Sequence, residues 1–319
     1  MKRILITGGT GSFGNAFIEY MKDTDTEFIV YSRDEQKQFH MYINKGNYNI
    51  KYIVGDIRDK DKLIASLKNV DYVIHAAALK HITTGESFPE EVIKTNILGT
   101  KNVIDAAEYC NVEKVVYLST DKAVYPVNAY GMSKALAEKL MNVHEGNTVC
   151  VSLRYGNVLG TRGSVVPLFL DLIKKGMPLT VTSPNMTRFL LSLRESIKLS
   201  LKCLEAGKNG DLFVIKSPAC NIDTLIEALE IHFGKLQRKI IGIRPGEKIH
   251  ETLLTAEEVH RATIEKENGI DYASIPKTEG SVGDLLRGEE YKVQPFTSEN
   301  TTRLNAKQVL NKLREARLL

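Results

Sequence analysis

Short apolar runs recur through the first half of the chain, at residues 3–7, 27–31, 52–54, 72–74, 115–118 and 148–153. Segments of helical period lie between them: residues 15–21 follow the first run, a stretch holding Asn96 precedes the fifth, and Tyr130 opens another. Apolar runs too short for helices, alternating with amphipathic segments, predict a parallel, doubly wound α/β sheet. Beyond residue 160 the pattern loosens, and Gly163, Pro167, Gly176, Pro178 and Ser183-Pro184 mark irregular connections among short elements. The reading divides the chain at 1–160 and 161–319, with a strand at 211–216 returning to the first sheet. An amphipathic helix is expected at 222–233, a loop at 244–248 opening a helix whose Glu251 lies four residues beyond Glu247, a polar irregular stretch from 266 to 300, and a terminal helix from 305 to 319.

The first turn has a special composition. Gly8-Gly9-Thr10-Gly11-Ser12-Phe13-Gly14 follows one apolar run and opens a helix, the setting of a dinucleotide fingerprint. Gly8 permits the tight turn, Gly11 lets backbone amides approach a pyrophosphate at the helix N-terminus, and Gly14 lets the helix pack closely on the strand. The first part is therefore expected to be a Rossmann-type nucleotide-binding domain. At the end of the second run stand Ser32, Arg33 and Lys37. A small hydroxyl with basic groups suits a 2′-phosphate, so NADP is favoured, and Asp34 keeps NAD as the lesser alternative. Arg33 and Lys37 also fit a solvated helix start. Asp56, beside Ile57, is placed to accept from an adenine amino group or to cap a helix. Ala76, Ala77 and Ala78 leave room for a nicotinamide ribose, and Lys80 and Asn96 complete the expected cofactor-binding set with Thr10, Ser12 and Phe13.

The bulk numbers narrow the class. With 319 residues, 43% hydrophobic and 26% charged, and a net charge of +4, the chain has ample core and too little positive charge for a nucleic-acid footprint. No apolar stretch approaches the roughly 18–20 residues that span a bilayer. The four cysteines, Cys110, Cys150, Cys203 and Cys220, lack metal or CxxC spacing, so buried thiols in a reducing cytoplasm are expected. His81 has no second His or Cys at ligand spacing, and no metal is expected.

The chemistry-bearing stretch is Ser119-Thr120-Asp121-Lys122, followed by Tyr130-Gly131-Met132-Ser133-Lys134. Tyr130 and Lys134 lie four apart on one helix face, where an ammonium favours ionisation of the phenol. Thr120, Asp121 and Lys122 sit at the carboxyl end of a central strand, where doubly wound sheets place ligands. Hydroxyl, carboxyl, amine and phenol can thus converge on one point as acid–base groups.

With these residues assembled, the chain resembles the extended short-chain dehydrogenase/reductase family, and within it the UDP-N-acetylglucosamine 4,6-dehydratases and epimerases of bacterial polysaccharide and flagellar-glycan biosynthesis. The carrying motifs are Thr7 to Gly14, Ser32-Arg33-Asp34-Glu35, Ser119 to Asn128, Tyr130 to Lys134, Met186-Thr187-Arg188-Phe189, Lys216-Ser217-Pro218-Ala219, Gly246 to Glu251 and Asn300 to Leu304. The resemblance implies that Tyr130, made acidic by Lys134 and the nicotinium, takes the C4 hydroxyl proton of a UDP-sugar, with Thr120 bonded to that oxygen. It implies a neutral Lys122 as base at C5 and a protonated Asp121 as acid toward the C6 hydroxyl. For the sugar nucleotide it implies Lys80, His81, Glu86, Asn157, Arg188, Arg244, Glu247 and Glu251, the two arginines clamping the diphosphate and the last two glutamates holding ribose hydroxyls. The loop His81 to Pro89 departs from its relatives, which leaves the stereochemistry at C5 open. The smaller part would bind substrate, and the assembly would be a homo-oligomer, dimer or hexamer. A C4 epimerase, needing Tyr130 and Lys134 but not Asp121 or Lys122, is the first alternative; a non-catalytic NADP-binding sensor is the second.

Overall fold

The computed structural model describes residues 1–161, 163–277 and 293–319. The apolar runs form β1 (Lys2–Thr7), β2 (Thr26–Ser32), β3 (Ile50–Val54), β4 (Tyr72–His75), β5 (Lys114–Leu118) and β6 (Val149–Arg154). Between them run α1 (Ser12–Met21), α2 (Glu35–Lys45), α3 (Lys60–Ser66), α4 (Ile82–Ser87), α5 (Pro89–Val92), a π-helical turn at Ile93–Leu98 and α6 (Gly99–Tyr109), and α7 (Ala129–Asn142) precedes β6. The six strands are parallel in the order β3-β2-β1-β4-β5-β6. The order reverses between β1 and β4, which opens a crevice at their carboxyl ends. This is the expected Rossmann-type sheet.

Side chains that alternate along each strand build two cores, one per face. Ile4, Ile6, Phe28 and Val30 pack on one side with Phe17 of α1. Leu5, Ile29, Val73 and Val115 pack on the other with Leu63 of α3 and Val103 of α6. Leu212–Ile215 joins the edge parallel to β6, as the sequence predicts. Two strands not anticipated extend the sheet: Ile270–Ile275 pairs antiparallel with Leu212–Ile215, and Thr263–Glu267 pairs with Ile270–Ile275. The polar stretch expected from 266 thus begins inside a hairpin. Its turn, Asn268-Gly269, has both residues at positive φ (49° and 76°), the geometry a two-residue hairpin requires. The remainder of that stretch at 278–292 lies outside the described residues.

The C-terminal part has a core of its own, in which Phe169, Leu190, Ile226 and Leu229 meet Val309 and Leu313 of the terminal helix. The helix expected to hold Glu251 does not form. Gly246 turns with φ +78°, Asn128 Nδ2 donates to its carbonyl at 2.9 Å, and the segment runs irregularly into the strand Thr252–Leu254. Among the described residues no helix is long and apolar enough to cross a membrane, and the four cysteines are unpaired.

Candidate active site

The glycine turn is built as its spacing requires. Gly8 has φ +67°, and a Cβ there would lie 2.9 Å from the Cα of Ala77. A Cβ on Gly14 would lie 2.2 Å from the carbonyl oxygen of Gly9, so only glycine lets α1 sit this close to the turn. Gly11 caps α1 without a side chain. A dinucleotide phosphate fits this cradle, in which bare backbone faces the crevice. We expect Gly14→Ala to cost about 1–3 kcal/mol of stability by overpacking and to weaken dinucleotide binding, measured by denaturant unfolding and a binding titration.

The floor of the crevice is braced from behind by a residue that sequence reading passed over. His75 is fully buried, with Nδ1 2.6 Å from Thr7 Oγ1 and Nε2 3.0 Å from Thr100 Oγ1. Thr100 donates to the Asn96 carbonyl, and Thr7 Oγ1 accepts from the Ala77 amide at 3.2 Å. Burial, aided by the Lys134 charge, pushes His75 down to about 3, which keeps the ring neutral in this network. Asn96 is a brace as well: Oδ1 accepts from Leu79 N, and Nδ2 donates to Leu79 O and Ser133 Oγ. The π-helical turn places it there, tying the Ala76–Lys80 loop to α7.

At the end of β2, Ser32 Oγ meets Thr10 Oγ1 at 3.0 Å. Asp34 caps α2 and pairs with Lys37, so Lys37 is occupied and the carboxylate is committed. Arg33 is half-exposed, 3.6 Å from Asp56. Both oxygens of Asp56 accept from Arg58, whose bonds outweigh burial and hold the carboxyl below its ordinary value. Asp59, not Asp56, caps α3. Ile57 is buried and would contact any side chain at position 99.

β5 delivers the acid–base groups. Thr120 caps a single 3₁₀ turn, Asp121–Ala123, onto which α7 packs so tightly that a Cβ on Gly131 would lie 2.3 Å from the Lys122 carbonyl oxygen. This contact sets Tyr130 beside Asp121 and Lys122. Asp121 is completely buried; its Oδ1 accepts from Thr120 Oγ1 at 2.9 Å and Lys122 Nζ at 3.0 Å, while Oδ2 has no protein partner. Lys122 Nζ also lies 3.6 Å from Glu251 Oε1.

The charge states depart from expectation at two residues. Lys122 is not neutral: burial acts to lower its pKa, but Asp121 and Glu251 overcome it and hold the ammonium above its ordinary range. Tyr130 is not acidified by the protein around it. Burial raises the phenol to about 12, and the charge opposing that rise is Lys122's. Lys134 instead donates to the Leu118 carbonyl at 2.7 Å, sits 4.4 Å above the Tyr117 ring, and is brought down to about 7 by burial. Asp121 moves as expected, upward through burial and the nearby Glu251 charge, with Lys122 opposing.

The residues expected to hold the sugar nucleotide have protein partners of their own in several cases. Arg188 does not present a free clamp: its guanidinium donates to the carbonyls of Thr187, Lys248 and Ile249, and Nε faces Glu251 at 3.8 Å. Arg244 is largely exposed, and its Nη1 lies 3.9 Å from Glu247. Glu247 and Glu251 part company without the helix, and Glu251 enters the acid–base cluster. Glu86 accepts from the Ala129 amide at the start of α7, and Lys80 and His81 are exposed at the loop. Asn157 keeps a buried Oδ1 with no protein partner. Lys248, missed from sequence, donates to Val124 O at 2.5 Å, and burial lowers its pKa against the pull of Glu251.

Comparison with known proteins places this arrangement. Residues 4–270 match the family described as polysaccharide biosynthesis protein. A Rickettsia bellii protein named UDP-glucose 4-epimerase is 46% identical, covering 97% of this chain and 94% of its own. The X-ray structure of Pen from Bacillus thuringiensis superposes with a TM-score of 0.90 at 33% identity, covering 100% and 98% of the two chains. DesIV, a dTDP-glucose 4,6-dehydratase from Streptomyces venezuelae solved with NAD and TYD, shares the fold at a TM-score of 0.73 and 19% identity over 99% and 98%. The chain belongs to the polysaccharide biosynthesis protein family and is a nucleotide-sugar-modifying enzyme of the extended short-chain dehydrogenase/reductase group.

Proposed function

We propose that the protein is a 4,6-dehydratase acting on UDP-N-acetylglucosamine with a bound nicotinamide dinucleotide. One observation carries the reading: a fully buried carboxyl, Asp121, and a part-buried lysine, Lys122, share a 3.0 Å hydrogen bond beside Tyr130. An epimerase at C4 has no use for that pair.

The glycine turn would hold the dinucleotide phosphates and the Ala76–Ala78 loop its nicotinamide ribose. Ser32 and Arg33 favour NADP over NAD at the adenosine ribose. When bound, the dinucleotide supplies a reversible hydride acceptor and a cationic ring whose charge favours the phenolate.

The rest is the chain's own chemistry. Tyr130 Oη takes the C4 hydroxyl proton as C4 becomes a ketone, and the ketone acidifies the C5 proton. Transfer of one proton from Lys122 Nζ to Asp121 Oδ1 turns the ion pair into a neutral amine and a carboxylic acid. The amine then removes the C5 proton. The acid gives its proton to the C6 hydroxyl, the C6–O bond breaks and water leaves. The pair is again an ammonium and a carboxylate, so the elimination consumes no external acid or base; a proton exchanged with solvent on Lys122 Nζ then returns to C5 as C6 receives the hydride that left C4.

C4 epimerisation is the second reading, favoured by the name that the 46%-identical Rickettsia bellii relative carries. Incubation with UDP-N-acetylglucosamine in deuterated water, followed by NMR, separates the two. The expected result is loss of the C6 hydroxyl with deuterium at C5. A C4 epimer free of solvent deuterium would overturn the dehydratase.

A further inference from the structure

Glu251 stands 3.6 Å from Lys122 Nζ although the two residues belong to distant parts of the chain. Its side chain is 4% exposed, and its Oε2, like Asp121 Oδ2, is buried without a protein partner. The backbone there is clamped on both sides by one residue: Glu251 N donates to Ser298 Oγ at 2.8 Å, and Ser298 N donates to Glu251 O at 2.8 Å. Ser298 Oγ in turn meets Thr187 Oγ1 at 2.6 Å. The fold thus spends three elements on presenting one carboxylate to the Asp121–Lys122 pair.

We propose that Glu251 is a positioning residue of the acid–base centre, whose negative charge determines the pH range over which the Asp121–Lys122 pair keeps its shared proton. The coupling is electrostatic. A fixed anion attracts the Lys122 ammonium and repels the Asp121 carboxylate, so it favours the protonated form of both. The groups facing the pair are Tyr130 from α7, Arg188 from the strand Thr187–Leu191, Lys248 from the irregular loop, and Glu251 itself. Arg188 and Lys248 are cations that act in the opposite sense on the pair. Glu251 is the one carboxylate that counters them among these groups. Burial works against its ionisation, and Lys122, Arg188 and Lys248 together keep it ionised. The effect on turnover rests on the dehydratase reading; the effect on Asp121 does not.

The test is a carboxyl titration by NMR of protein carrying ¹³C-labelled aspartate, with the Asp121 signal assigned by its absence in Asp121→Asn. The titration midpoint of Asp121 is expected to be highest in the wild type, intermediate in Glu251→Asp, and lower by about one pH unit or more in Glu251→Gln. The pH profile for C6 hydroxyl loss should move down on both limbs. A midpoint unmoved in Glu251→Gln would overturn the inference, and so would a higher KM for the UDP-sugar with the titration unchanged, which is the mark of a ribose contact. If the Gln variant does not fold, the Glu251→Asp titration decides by the same criterion. If the wild type never releases the C6 hydroxyl, the dehydratase reading falls while the Asp121 midpoint still judges Glu251.

Discussion

Tyr130→Phe is expected to lower turnover of UDP-N-acetylglucosamine by about 10²–10⁴-fold, the range for loss of a positioned proton acceptor, with dinucleotide affinity changed only a few-fold. The ring is part-buried and stays, and removing one hydroxyl leaves the Gly131 contact of α7 with the 3₁₀ turn in place. The measurement is single-turnover absorbance of the reduced dinucleotide after adding substrate. No reduction should develop in Tyr130→Phe. In Asp121→Asn, by contrast, reduction should persist while C6 hydroxyl loss falls by a similar factor, because the amide keeps the shape of the site and cannot give up a proton as a carboxylic acid does. Wild-type reduction in Tyr130→Phe would remove the phenol from the mechanism, and undiminished hydroxyl loss in Asp121→Asn would remove the acid.

Arg154→Met is expected to destabilise the fold by about 3–5 kcal/mol, since it leaves buried carboxylates without their partner. Arg154 stands at the end of β6 with 8% of its side chain exposed. Its Nε and Nη2 grip Glu138 of α7, the shortest contact being 2.6 Å, and its Nη1 reaches Glu258 at 2.8 Å and the Leu253 carbonyl at 3.1 Å. Glu138 and Glu258 are 9% and 13% exposed, so water cannot replace the guanidinium. This triad joins the sheet, the helix carrying Tyr130 and Lys134, and the chain just after Glu251. Urea unfolding monitored by circular dichroism checks the loss. A second variant, Arg154→Met with Glu138→Leu and Glu258→Gln, should recover part of it, because the cost lies in the orphaned charges more than in the missing contact.

The parts of this protein legible in its sequence are those with a short-range cause. Ile4, Leu5 and Ile6 alternate between two cores, so a strand could be inferred from three neighbouring residues. Gly8, Gly11 and Gly14 carry a local steric requirement, and the four-residue spacing of Tyr130 and Lys134 places them on one helix face wherever that helix packs. The Asn268-Gly269 turn was equally local, but the polar residues around it, Glu265 to Glu267, hid a strand whose side chains are all exposed at a sheet edge. What the tertiary structure decided are the charge states and the company each group keeps. Lys122 is cationic because a carboxylate from residue 251 joins Asp121 across the site, and no spacing rule connects those positions. Arg188 became a brace and Asn96 a clasp because their donors met backbone carbonyls brought in by other segments. The sequence by itself determined the sheet, the dinucleotide turn and the types of acid–base group. Only the packing of the C-terminal part against the end of β5 decided which of them hold protons, because the pKa of a buried group depends on every charge within a few ångströms and not on its neighbours in the chain.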